Sequence, residues 1–191
     1  MLSEKQFRER AKVELRQIGR QVTSLAIDRD IYWKLERDVI ARNPALQSPN
    51  PFIDMVRGAY ADAMATRVLR LLDSQVSGPS LLRVLQQIGD YPQLLHDKVS
   101  EREFADDRAS LQQAADGLKG TLDPHFAHHE RTPSARASTH RALDAAVDAM
   151  IAALKTYYWV VAEGHLDLGV KYPDDPLAIF RKPWLEPGPA Q

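Results

Sequence analysis

The chain has 191 residues, 44% of them hydrophobic, with 25 basic and 26 acidic side chains and a formal net charge of -1. That length suits one domain with a short appendage, and the apolar share is enough for a core. The near-neutral charge excludes a global basic field that would draw nucleic acid in non-specifically, and the lack of cysteine excludes disulfides, thiol catalysis and cysteine-ligated zinc.

Residues 4 to 41 predict one long helix or two consecutive ones. Phe7, Ala11, Leu15, Ile18, Val22, Leu25 and Ala26 recur at helical spacing, and Ile31, Trp33, Leu35, Val39 and Ile40 continue less regularly. Gly19 is a weak point within this stretch, and Asn43-Pro44 is expected to stop it. The opening MLSEKQFRERAKVELRQ is charged throughout and does not read as a secretory signal.

A second helix is expected from about Pro51 to Asp73. Its stripe of Phe52, Met55, Val56, Ala59, Tyr60, Ala63, Met64, Val68, Leu71 and Leu72 is wide enough to be buried on more than one side. Ser80 is placed to cap a short helix carrying Leu81, Leu82, Val84, Leu85 and Ile88, which Gly89-Asp90-Tyr91-Pro92 ends. Ser100 and Glu103 are spaced as a capping box for a helix to Leu122, with Pro124 expected to stop it. Thr132-Pro133 offers an N-cap and a first-turn proline for the last helix, which runs to about Ala162.

From Tyr172 onward prolines exclude regular helix, yet Leu177, Ile179, Phe180, Trp184 and Leu185 are too apolar for a loose tail. This arm is expected to lie against the bundle or a partner. The fold class is therefore all-α: an antiparallel up-and-down bundle of four to five helices with a C-terminal Pro-rich extended arm. The expected division is a bundle domain over residues 1–170 and the arm over residues 171–191. No apolar run is expected to approach the roughly 20 residues that span a bilayer, so the expectation is a soluble cytoplasmic protein with no membrane partner.

Between the last two long helices lies Leu122-Asp123-Pro124-His125-Phe126-Ala127-His128-His129-Glu130-Arg131, with three of the six histidines. Histidine titrates nearest neutral pH, so such a cluster suits proton transfer or metal binding. His125 with His128 or His129 has helical i,i+3 or i,i+4 spacing, which makes these three weak zinc candidates. One histidine could instead serve as general acid/base, with Lys119 or Arg131 as the nearby cation. The plainer reading is a solvated polar turn.

Elsewhere, Trp33, Trp159 and Trp184 could stack on bases, although core or interface packing suits Trp159 better. Asp144 and Asp148 fit a solvated helix face. Arg67 and Arg70 fit the carboxyl end of the second helix. No phosphate-cradling glycine loop, nucleophile elbow or zinc-protease motif occurs.

The stretch PFIDMVRGAYADAMATRVLRLLDSQVSGPSLLRVLQQI, the polar helix after it and Phe126-Ala127-His128-His129 resemble the HEPN superfamily (higher eukaryotes and prokaryotes nucleotide-binding domains), in particular its abortive-infection branch, over roughly residues 5 to 165. The resemblance implies a homodimer, RNA as partner, no cofactor and metal-independent endoribonuclease chemistry, in phage defence or a toxin-antitoxin-like system. It also implies an Arg, a polar residue and, after four to six intervening positions, a His. Here His128 takes the His position as general acid/base and Asp123 the polar one, while Leu122 stands where the Arg belongs. Arg131 or Lys119 would have to face phosphate, so an RNA binder with weakened or lost cleavage is expected. The alternatives are a non-catalytic bundle gripping a protein partner through its arm and, less favoured, a His-ligated metal-binding bundle.

Overall fold

The computed structural model describes the backbone over residues 2–47, 49–75, 78–126 and 133–181, and the side chains of those residues except 120–126, 133–138 and 181. Among the described residues there are five α-helices and no strand: α1 (Glu4–Lys34), α2 (Pro51–Leu72), α3 (Leu81–Gly89), α4 (Glu101–Phe126) and α5 (Pro133–Ala162). The all-α antiparallel bundle expected from the sequence is what the chain forms.

Local chemistry sets most helix starts. Ser3 and Gln6 form a capping box at α1. The Asn50 side chain accepts from the Phe52 and Ile53 amides ahead of Pro51 at the first turn of α2. Ser80, fully buried, accepts from the Arg83 amide. Ser100 and Glu103 close the predicted box, with the Ser100 amide donating to Glu103 at 2.9 Å.

The first helical stretch runs to Ile40, as expected for residues 4 to 41, but one boundary elsewhere differs. After Lys34 the α-helix widens into a π-helical turn over Leu35–Ile40, in which the Ala41 amide reaches back five residues to the Glu36 carbonyl. The extra residue per turn rotates the face, which is why Ile31 to Ile40 fit no regular helical stripe. At the other long helix, α4 continues through Pro124 to Phe126. Proline removes only the bond its own N–H would give to the carbonyl of residue 120. The other backbone bonds of this long helix are unaffected, so one proline does not by itself end it.

Antiparallel pairing follows from cross-helix contacts. Arg16 Nε donates to the Tyr158 hydroxyl at 2.8 Å and Trp33 Nε1 to Asp144 at 3.1 Å, so α1 and α5 run in opposite directions. Arg57 meets Glu36, and Arg67 meets Asp28, which sets α2 antiparallel to α1. Tyr157, fully buried, donates to Asp107 at 2.8 Å and meets the Phe104 ring edge-on, which sets α4 antiparallel to α5. The C-terminal ends of α1 and α4 and the N-terminal ends of α2 and α5 therefore share one end of the bundle.

The core is continuous. Leu15, Ile18, Val22 and Leu25 from α1 meet Val68 and Leu71 from α2, with Val147, Met150 and Leu154 from α5. Contrary to expectation, Thr139–Ala162 is by length and composition apolar enough to cross a membrane. Its Leu143, Val147, Leu154 and Tyr157 face this core and are buried. After α5 the chain returns along the outer side of α1. Leu166 approaches Gly19 so closely that a Cβ there would lie 2.8 Å from Leu166 Cδ2, so the glycine is a docking point and not a break in the helix. Leu168 is buried, and the Tyr172 hydroxyl bonds Asp30 while Lys34 Nζ lies 4.5 Å over its ring.

Candidate functional site

Phe126 of α4 and Pro133 of α5, which bracket residues 127–132 of the histidine segment in sequence, lie at the shared end of the bundle. Leu122, Asp123 and His125 belong to the last turns of α4, and Pro133 is the first residue of α5. Lys119 is exposed on α4. The side chains of Leu122, Asp123 and His125, and residues His128, His129 and Arg131 altogether, lie outside the described residues. Among the described residues no three His, Asp or Glu side chains gather as a metal-holding group, and the zinc candidates His125, His128 and His129 fall outside that set.

At the same end the structure gathers a polar group that the sequence reading did not bring together. Tyr32 of α1 stacks on Tyr60 of α2 with ring centroids 3.8 Å apart and an interplanar angle of 4°. His140 of α5 packs against both, at 5.0 and 5.8 Å. Glu36, on the π-helical turn, takes a two-pronged bond from Arg57, with Nε and Nη2 each 2.7 Å from a carboxylate oxygen. The Tyr32 hydroxyl feels the Glu36 carboxylate, which helps to raise its pKa. The bulged turn thus presents Glu36 to α2.

Burial dominates the electrostatics here. It lifts the Tyr32 and Tyr60 hydroxyls well above the ordinary tyrosine range. At Glu36 burial would raise the pKa, but the Arg57 guanidinium outweighs it and the net shift is downward. At His140 burial pushes the pKa down, against the opposite pull of Glu36 and Asp144, so the imidazole is held toward its neutral form. The Tyr60 hydroxyl oxygen is buried with no hydrogen-bond partner among the described residues.

Several single-residue expectations are corrected. Asp144 is not on a freely solvated face: burial raises its pKa, while Trp33 Nε1 donates to it and Arg29 binds its backbone carbonyl. Asp148 stays largely solvated and pairs with Arg29 at 2.7 Å. Arg67 reaches sideways to Asp28 and Ser24 of α1, away from the end of its own helix. Of the two placements expected for Trp159, the core is excluded: it is 38% exposed on the single chain, with Lys98 Nζ 5.6 Å over its ring, which leaves interface packing as the expectation.

No sequence signal marks Glu36, Arg57 and His140 as a set, because they lie on three helices and belong to no spaced motif. The one local hint is the irregular apolar pattern after Ile31, now explained by the π-helical turn. Comparison with protein-family models, curated proteins and solved structures matches none of them to this chain.

Proposed function

We propose that this chain is a HEPN-like RNA-binding domain whose metal-independent endoribonuclease activity is weakened or lost. The observation that carries the reading is the arrangement around residues 119 to 133. Lys119 is exposed on α4, the backbone of Leu122 and Asp123 belongs to that helix, and His128 and Arg131 follow in sequence between Phe126 of α4 and Pro133 of α5, outside the described residues. A helix-borne polar residue five positions before a histidine would let the two act on one phosphodiester.

In this reading His128 takes the proton of the attacking 2'-hydroxyl or supplies one to the leaving oxygen. Asp123 orients it, and Arg131 or Lys119 faces the phosphate. Leu122 supplies no charge where a guanidinium would stabilise the transition state, and loss of such a group costs on the order of 2.7–4 kcal/mol, a 100- to 1,000-fold loss of rate. A homodimer that brings two such segments together, in a phage-defence or toxin-antitoxin-like setting, completes the proposal.

The test is cleavage of single-stranded RNA by purified protein in chelator. Slow cleavage that disappears in His128→Ala is the expected result for residual activity, and RNA binding without cleavage is the expected result for lost activity. Cleavage that is unchanged in His128→Ala, or no binding to RNA at low salt, would remove the assignment.

A further inference from the structure

Helix α2 carries more apolar surface than the bundle covers. Its inner side is buried through Ile53, Ala61, Met64, Ala65 and Val68. Phe52 and Met55, however, are 56% and 61% exposed, and Ala59 and Ala63 are exposed as well. These four follow each other at helical spacing and form a second stripe about 16 Å long. A contiguous exposed apolar surface of this kind marks a contact site. Next to its N-terminal end lies an apolar groove of about 310 Å³ between the π-helical turn and α2, formed by Leu35, Val39, Ile40, Leu46, Ile53 and Val56.

The arm leads to this place. It runs along α1 from Leu166 at Gly19, through Tyr172 at Asp30, to Phe180, which lines the groove together with Phe52. Beyond Arg181 the sequence continues Lys-Pro-Trp-Leu-Glu-Pro-Gly-Pro-Ala-Gln, residues 182–191, in which Trp184 and Leu185 are the large apolar side chains.

We propose that residues 182–191 continue from Phe180 onto the exposed stripe of the same chain's α2, with Trp184 and Leu185 covering Phe52, Met55 and Ala59. The lengths agree. Trp184 and Leu185 are four and five residues beyond Phe180, and extended proline-rich backbone advances about 3.1 Å per residue, or about 12–16 Å. Such a backbone needs no pairing strand, and its prolines bring no N–H to satisfy against an apolar face. Phe180 already anchors the tether, so the local concentration of the arm is in the millimolar range, which favours it over a second copy or a foreign partner. This inference is independent of the RNA reading.

The natural chain has no cysteine, so a single introduced pair reports the contact without background. In full-length protein carrying Ala59→Cys and Glu186→Cys, mild oxidation is expected to give a cross-linked monomer. Glu9→Cys with Glu186→Cys, at the far end of α1, is expected to give none. A cross-linked dimer would assign the stripe to a second copy, and no cross-link would leave it to another partner; either result overturns the proposal. As a second readout, the Trp184 emission, taken as the difference between the natural chain and Trp184→Phe, is expected at short wavelength and shielded from acrylamide. Phe52→Glu, a change at an exposed position, is expected to shift it red and open it to quencher. Emission typical of free tryptophan and indifferent to Phe52→Glu would also overturn the proposal.

Discussion

Glu36 and Arg57 meet across the α1–α2 boundary with side chains only 16% and 20% exposed. Removing one partner leaves the other charge poorly solvated, so Arg57→Met is expected to destabilise by about 1–3 kcal/mol. The double variant with Glu36→Gln is expected to recover part of the loss, and urea denaturation of the four proteins measures the coupling. His140 adds a pH dependence. Its folded pKa lies below the ordinary value of 6.5, so between the two values the unfolded chain binds more protons. Its contribution is full above about pH 6.5 and is lost as pH falls through the folded value. Stability should therefore drop on acidification below about pH 6.5, and His140→Gln should flatten that slope. Asp144, raised by burial, acts with the opposite sign and remains in the variant, so the difference between the two profiles isolates the imidazole. Equal slopes would contradict the placement of His140. None of this cluster was legible in the sequence, because its residues become neighbours only when three helices pack.

Helix boundaries were largely legible, for local reasons. Ser80, Ser100 with Glu103, and the Asn50-Pro51 pair announce starts through hydrogen bonds made within three residues. Pro124 misled, because a proline removes one backbone bond without by itself ending a long helix, and α4 runs through it to Phe126. The π-helical turn was legible only as an irregularity after Ile31. Gly19 looked like a weak point, and its reason lies in a partner 147 positions away in sequence, Leu166. The same substitution should thus behave differently at two helical glycines. Gly117→Ala meets nothing within 4 Å and is expected to stabilise by roughly 0.5–1 kcal/mol. Gly19→Ala is expected to gain less or to lose, because Leu166 must move. Thermal or urea midpoints decide it, and equal gains at both sites would contradict the tight approach of the returning arm.

At the scale of the molecule, the antiparallel pairings bring the ends of α1, α2, α4 and α5 together, so Phe126 and Pro133, which flank the His-bearing segment in sequence, share one end of the bundle with the Glu36–Arg57–His140 cluster. The fold class could be read from amphipathic stripes, since long periodic helices joined by Pro/Gly turns leave few other ways to bury their faces. The proposed chemistry could not, because in that reading it would depend on which cation meets the phosphate, and the position where the resemblance implies arginine holds Leu122. If His128 and Asp123 still stand ready, restoring the charge should restore the reaction. The decisive measurement is RNA cleavage in chelator by Leu122→Arg, beside the natural chain and Leu122→Arg with His128→Ala. The expected result is a rate gain on the order of 100-fold for Leu122→Arg that vanishes in the double variant. A folded Leu122→Arg protein that cleaves no faster than the natural chain, or a gain that survives loss of His128, would contradict it.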